Sequence, residues 1–232
     1  MENPDLITLI KFFTTKYENA LQSGNLDDFN DVNLVLNKMI PQLEELSSSV
    51  DKQKLSSIYE TLSEFIYNFC VILTKNQEST IDIKPRLKWL AEKAIALDED
   101  SFWGIYYLSL FHTFNIIPLG SEGGVGLVDK GISAISKTNF SRNSEMALEK
   151  YKIKMAEHPV SAKRFLTMTE AMMNLAEICH GIFISNRIRK DIHKFIGEFE
   201  IKSLDFSEYE DKVLDEVKER AMALIISVNA NL

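Results

Sequence analysis

The sequence predicts an all-α protein, and two observations carry this prediction. Apolar residues recur every three or four positions along almost the whole chain, which is the period of an amphipathic helix rather than a strand. The composition is that of a folded globular chain, with 232 residues of which 45% are hydrophobic and 26% charged. From the periodicity we expect roughly nine or ten helices, joined mostly by short connectors.

Start and stop signals divide the chain into these helices. Asn3–Asp5 combines a capping side chain, a first-turn proline and an acid, and Ser23–Gly24 provides a stop. Pro85 is expected to open a helix, and Pro159 to separate two helices of the second half. Pro41 falls inside an apolar helical pattern, so we expect a kink or a break there.

Four stretches show the helical period most clearly, and each is predicted to bury one face of a helix. They span residues 55–73, 165–182, 188–199 and 206–224. The fourth pattern begins at Phe206, which places the start of the last helix at or before that residue.

Charge and cysteine content predict a cytoplasmic protein without a general affinity for nucleic acid. Residues 1–100 carry 10 basic and 17 acidic side chains, a net charge of -7 within a total of -8. A field of this sign repels polyphosphates, so nucleic-acid binding is disfavoured. Cys70 and Cys179 lie in separate apolar runs and are expected to be buried free thiols. The amino-terminal segment has no secretory pattern, which favours a reducing cytoplasm.

The stretch Ser101–Ser121 carries no formal charge and is long enough to cross a bilayer. His112, Asn115 and Pro118 within it, and the acidic residues 98–100 before it, oppose a membrane span. We therefore expect a buried helix here and no membrane association.

Five of the nine glycines lie in Pro118–Gly131. Consecutive backbone amides before a helix can bind phosphate, but the spacing matches neither a P-loop nor a dinucleotide fingerprint. Glu122 and Asp129 would also repel a phosphate. We expect this segment to be a flexible connector.

The segment Leu87–Phe111 resembles the junction between two tetratricopeptide repeats. In that family a helix with regularly spaced small residues ends in Leu-Asp-Pro, and the next helix opens on an aromatic residue, then Leu-Gly, then Tyr. Ala91, Ala94 and Leu97-Asp98 match this pattern, as does Leu108. This chain differs from the family pattern at four positions. Glu99 stands in place of the proline, Ile105 of the aromatic residue, Ser109 of the glycine and His112 of the tyrosine.

The resemblance extends over residues 87–138, where Gly131 occupies a small-residue position and Ile135 a bulky one. It implies antiparallel helix pairs stacked into a solenoid, with an irregular helical bundle as the alternative. We expect a single all-α domain over residues 1–232. Its sub-units would be the amino-terminal helices 1–80, the repeat-like pairs 84–140 and the carboxy-terminal helices 141–232.

The same resemblance implies a non-catalytic binding or scaffold module that recognises a peptide or protein partner. In such arrays the first helix of each pair lines the groove, which nominates Trp103, Tyr106 and Thr113 as partner-binding residues. Apolar residues at the ends of an array are compatible with a homodimer.

An alternative function arises from Arg187 and His193, whose Arg-x5-His spacing resembles that of HEPN-type ribonucleases, which are small helical bundles. The residue after the arginine, usually polar in that family, is Ile188 here. A basic patch that would hold an RNA backbone comprises Arg187, Arg189, Lys190 and Lys194. The simpler interpretation is a solvated basic face on an amphipathic helix.

No other reactive constellation is evident in the sequence. Glu177 and His180 form one ExxH spacing, but a di-iron bundle needs a second copy and further glutamates. Cys179 and His180 are adjacent, so on a helix their side chains point about 100° apart. We therefore expect no enzymatic activity, no cofactor and no bound metal.

Overall fold

The computed structural model describes residues 4–46, 50–116, 127–157, 159–181 and 186–229. These residues are mostly helical, which confirms the all-α prediction at this level. The helices are α1 (Pro4–Ser23), α2 (Leu26–Leu46), α3 (Lys52–Lys75), α4 (Lys84–Leu97), α5 (Phe102–Thr113), α6 (Leu127–Met155), α7 (Ala162–Gly181), α8 (Asn186–Gly197) and α9 (Asp211–Asn229).

Two short strands, β1 (Val160–Ser161) and β2 (Leu204–Asp205), pair in parallel, with Val160 opposite Leu204. A single turn of 3-10 helix, Ile201–Ser203, precedes β2. The pair is two residues long and tethers the start of α7 to the segment before α9. The chain divides into two compact units, Met1–Phe111 and His112–Leu232.

Aromatic rings join α1, α2 and α3 in the core of the first unit. Phe29 stacks on Phe65 and Phe69 with ring centroids 6.0 and 6.1 Å apart. Phe13 and Tyr17 meet Phe65 edge-on at 5.5 and 5.4 Å. All five side chains are buried, and offset or edge-to-face pairs of this kind add to the hydrophobic stabilisation of the core.

Small residues allow α3, α4 and α5 to approach one another closely. The Ser56 hydroxyl of α3 donates a hydrogen bond to the Ala94 carbonyl of α4, at 2.9 Å. A Cβ atom at Gly104 of α5 would lie 3.1 Å from both Ala94 Cβ and Ile95 Cγ1. Ala91 of α4 is fully buried as well. The small residues of α4 therefore pack against its neighbours, as their spacing predicts.

The sequence signals for helix boundaries are largely confirmed. Helix α1 begins at Pro4 and ends at Ser23, where Gly24 takes a positive φ of 62°. Pro85 lies in the first turn of α4. Helix α6 ends at Met155, ahead of Pro159.

Of the kink or break predicted at Pro41, the break is wrong, because α2 continues through Pro41 to Leu46; a kink stays a prediction. Proline removes one backbone donor from a helix but does not prevent continuation when packing holds both sides. Leu36 and Met39 before the proline and Leu43 after it are fully buried. Their common apolar face keeps the two parts of α2 on the same core.

The predicted start of the last helix is also wrong. Phe206 and Tyr209 precede α9, which begins at Asp211. The Asp205 carboxylate accepts a hydrogen bond from the Ser207 backbone N–H at 2.9 Å, and the Tyr209 N–H donates to the Phe206 carbonyl at 3.0 Å. These local bonds form a turn that competes with the helix.

The second unit packs α6, α7, α8 and α9 around the buried face of α7. The Tyr151 hydroxyl of α6 lies 2.8 Å from Thr169 Oγ1 of α7 inside this core. Phe165 stacks on Phe199 with ring centroids 4.9 Å apart. A buried tyrosine that has found a polar partner costs little and fixes the register of the two helices.

Two sequence predictions concern the start of α6. Residues 127–131 of the glycine-rich segment belong to this helix, and residues 118–126 lie outside the described part of the chain.

Ile135, expected at a bulky packing position of a repeat, is 64% exposed, so that expectation is wrong. The physical reason is its place on the solvent face of α6, whereas Ser136 and Phe140 are buried.

Helix α5 occupies the first part of the uncharged stretch, and most of its side chains are buried, as predicted. Among the described residues, no helix combines the length and hydrophobicity needed to cross a membrane.

Candidate functional site

Helix α5 presents an aromatic face formed by Trp103, Tyr106 and Tyr107. The Trp103 ring meets Tyr106 edge-on with centroids 5.6 Å apart and stacks on Tyr107 at 6.2 Å. Tyr106 and Tyr107 are buried, with 7% and 6% exposure, and Trp103 is half-buried. Thr113, the third predicted partner-binding residue, is half-buried near the end of α5 and belongs to the second unit. The structure thus brings together two of the three predicted residues.

Helix α3 adds polar and aromatic side chains beside this face. Tyr67 lies 6.1 Å from Tyr107 between ring centroids. Glu64 and Asn68 occupy neighbouring turns of α3, on the same side as Tyr67, because residues three and four apart share a helix face. We call Tyr17, Glu64, Tyr67, Asn68 and Tyr107 the tyrosine–glutamate cluster.

Hydrogen bonds connect α1 to α3 within this cluster. The Tyr17 hydroxyl donates to Glu64 Oε1 at 3.1 Å, and Asn68 Nδ2 donates to the Tyr17 oxygen at 2.7 Å. Tyr17 is buried, while Glu64 and Asn68 are half-buried. These two hydrogen bonds, from Asn68 to Tyr17 and from Tyr17 to Glu64, hold the Glu64 carboxylate in place. Most of the acceptor positions of the carboxylate stay unused.

The Glu64 carboxylate lies in an environment that disfavours its charge. Burial raises the pKa of Glu64, and the hydrogen bond from Tyr17 offsets only part of that rise. The pKa of Tyr107 is raised well above its usual value by burial and by the nearby Glu64 charge. Throughout the described residues, none of the ion pairs of 4 Å or less involves Glu64. The cluster therefore contains a carboxylate without a cation.

A second carboxylate of α3, Glu60, has a structural role. Glu60 Oε1 accepts a hydrogen bond from the Ser101 hydroxyl at 2.6 Å, and the same hydroxyl accepts one from the Gly104 backbone N–H at 3.0 Å. Burial raises the pKa of Glu60, and the hydrogen bond from Ser101 acts in the opposite direction. A hydroxyl that accepts from an amide of the first turn caps a helix. Glu60 thereby connects α3 to the start of α5 through Ser101.

The predicted basic patch lies on α8 in the second unit. The side chain of Arg187 is 76% exposed and forms ion pairs with Glu145 at 3.4 Å and Asp191 at 3.8 Å. Lys190 and Lys194 are exposed. Glu145 and Asp191 thus reduce the positive charge of the patch around Arg187.

Arg189 differs from the other members of the patch. It is half-buried, and its Nη1 lies 3.4 Å from His180 Nδ1 of α7. His180 is exposed, and the nearby Glu177 that completes the ExxH spacing is exposed as well. No group of three potential metal-ligating side chains is present within the part of the chain that the structure describes.

The structure separates the predicted nuclease pair. His193 is only 2% exposed, and its Nε2 has no hydrogen-bond partner in the part of the chain that the structure describes. Burial lowers the pKa of His193, and the neighbouring positive charge of Arg189 lowers it further. Six positions on a helix correspond to a rotation of about 120°, so Arg187 and His193 occupy different faces of α8.

Both cysteines are buried free thiols, as predicted. Burial raises the pKa of the Cys70 thiol to about 12 and that of Cys179 to about 11. Since the thiolate is the nucleophilic form, neither side chain is an activated nucleophile at neutral pH.

Sequence reasoning missed Glu64, Tyr67, Tyr107 and Tyr17 as site residues. A partial signal was present, because Glu60 and Glu64 are the two acidic residues of α3 and lie four positions apart, on one face of the helix. Their partners on α1 and α5 are distant in sequence and could not be paired with them without the fold.

Comparisons of the chain with models of protein families, with curated proteins and with solved structures gave no match. The residues and their geometry are therefore the basis for assigning a function.

Proposed function

We propose that this protein is a non-catalytic binding module that takes a peptide or protein partner on the α5 aromatic face and the adjoining tyrosine–glutamate cluster. The observation that supports this most directly is the half-buried Trp103 in the first turn of α5, packed against Tyr106 and Tyr107. Aromatic side chains on a fixed support are typical anchors of protein interfaces.

The ribonuclease alternative has weaker support. Its arginine is paired with two acidic side chains, and its histidine is buried with a lowered pKa on a different face of the helix. A general acid or base has to reach its substrate, and a phosphate-binding arginine has to exchange its existing partners.

Site-specific photo-crosslinking in the native cell tests the proposed function. A benzoylphenylalanine placed at Trp103 is expected to give a discrete protein adduct. The same probe at Met222, which is half exposed on α9, is the matched control and gives a different adduct or none. No adduct at Trp103, or the same adduct at both positions, would contradict the proposal.

The crosslinked partner is then purified and its affinity measured directly. We expect Trp103→Leu to weaken binding by about tenfold or more, the scale of an aromatic hot spot. Trp103→Phe keeps a ring in place and is expected to weaken binding less. Circular dichroism of both variants verifies that the helical fold is retained. Unchanged affinity in folded Trp103→Leu would show that this face is not the interface.

A further inference from the structure

The Glu64 carboxylate is positioned by the fold and yet has no positive partner among the described residues. Within that part of the chain its one side-chain hydrogen bond comes from the Tyr17 hydroxyl at 3.1 Å, whereas a carboxylate offers about four acceptor positions. A half-buried charge without a counter-ion is costly, and structural carboxylates of this kind are normally paired.

The neighbours of Glu64 favour a cation over any other ligand. Tyr67 and Tyr107 lie with ring centroids 6.1 Å apart, and Trp103 stacks on Tyr107 at 6.2 Å. Aromatic faces carry negative electrostatic potential and attract ammonium and guanidinium groups. A phosphate or carboxylate ligand would instead be repelled by Glu64.

The charge of the surrounding region has the same sign as the site. Residues 1–100 carry 10 basic and 17 acidic side chains, a net charge of -7. A field of this sign steers positively charged partners and raises their rate of association. Charge complementarity therefore identifies a basic partner.

We propose that Glu64 and Tyr67, beside the buried Tyr107 and with Trp103 at the edge, form a receptor for a lysine or arginine side chain of a basic peptide segment. This inference rests on the proposed function and names the chemistry of the partner. The cationic head would pair with the free acceptor positions of Glu64, and the aliphatic stem of the side chain would lie along the half-buried rings of Tyr67 and Trp103.

Binding of two model peptides to the full chain tests this inference. The probes are hexa-arginine and hexacitrulline, which have nearly the same shape but differ in charge. In a Trp89→Phe background, Trp103 is the remaining tryptophan and its fluorescence reports on the site. We expect hexa-arginine to bind and to change this fluorescence, and hexacitrulline to bind at least about tenfold more weakly.

Two single-charge variants separate a specific site from diffuse attraction to an acidic protein. Glu64→Gln keeps an acceptor for the Tyr17 hydroxyl and is expected to weaken hexa-arginine binding about tenfold. Glu78→Gln removes the same charge from an exposed position and is expected to change it less than about twofold. Equal effects of the two variants, or equal binding of both peptides, would overturn the inference.

The outcomes also distinguish this inference from the proposed function. If the partner found by crosslinking binds Glu64→Gln normally but loses affinity for Trp103→Leu, the aromatic interface stands and the cation receptor is wrong. If both variants lose affinity, both proposals are supported. If neither does, the surface is not the interface and both are wrong.

Discussion

Burial acts in opposite directions on the pKa values of Glu64 and His193. It raises the pKa of the carboxyl and lowers that of the imidazole, so in both cases the neutral form is favoured more than in water. The two environments differ in access. Glu64 is half-buried beside aromatic rings, and His193 is enclosed with an unpartnered Nε2. Glu64 therefore keeps some contact with solvent, whereas protonation of His193 is linked to folding.

The buried histidine predicts a loss of stability in mild acid. His193 has a folded-state pKa below its ordinary 6.5, so the unfolded chain binds the proton first as the pH falls. Its contribution is fully present above about pH 6.5 and is lost as the pH falls toward the lowered folded-state pKa. For one proton the slope is at most about 1.4 kcal/mol per pH unit. Urea unfolding of wild type and His193→Gln between pH 5 and 8 measures how the free energy of unfolding changes with pH. The variant is expected to show the smaller change.

His180→Gln provides the matched control for this measurement. His180 is exposed on α7 and its Nδ1 lies 3.4 Å from Arg189 Nη1. We expect this variant to retain the pH dependence of the wild type. If His193→Gln and wild type lose stability in parallel as the pH falls, the histidine is not the responsible group.

The close junction of α4 and α5 depends on Gly104. An added Cβ would lie 2.5 Å from Ser101 Oγ and 3.1 Å from Ala94 Cβ and Ile95 Cγ1. Ser101 cannot retreat freely, because its hydroxyl donates to Glu60 Oε1 at 2.6 Å and accepts from the Gly104 N–H at 3.0 Å. The same contacts set the position of α5 and of its aromatic face.

We predict that Gly104→Ala destabilises the protein by about 1–3 kcal/mol, the usual cost of overpacking a tight interior. The better helix propensity of alanine offsets up to about 1 kcal/mol of the contact cost. Chemical denaturation measures the change in the free energy of unfolding. Ser57→Ala, on the exposed side of α3, is the control and is expected to stay within about 0.5 kcal/mol. A Gly104→Ala variant as stable as wild type would show that the junction has room.

At the scale of the whole molecule, local signals predicted the helices well. The apolar stripe of α3 is buried as its period predicts, and Gly24 and Pro85 mark a helix end and a helix start. These features depend on residues a few positions apart, which a sequence displays directly. Even so, the Asp205 turn delays the start of α9, because a side-chain hydrogen bond competes with the helical pattern.

The candidate site was only partly predictable because it combines distant segments. Trp103 and Tyr106 could be nominated from one helix. Tyr17, however, lies 47 positions before Glu64, and their hydrogen bond exists only after α1 packs against α3. Neither residue alone differs from an ordinary core tyrosine or surface glutamate. Burial, which changes the chemistry of Glu64, is a property of the packed helices.

Hydrogen–deuterium exchange of the full chain, with and without hexa-arginine, most directly locates the basic partner. The account predicts slower exchange in α3 around residues 60–68 and in α5 around residues 102–110, with no change in α6 to α9. Slower exchange confined to the acidic first turn of α2, at Asp27 and Asp28, or spread evenly over the chain, would contradict it.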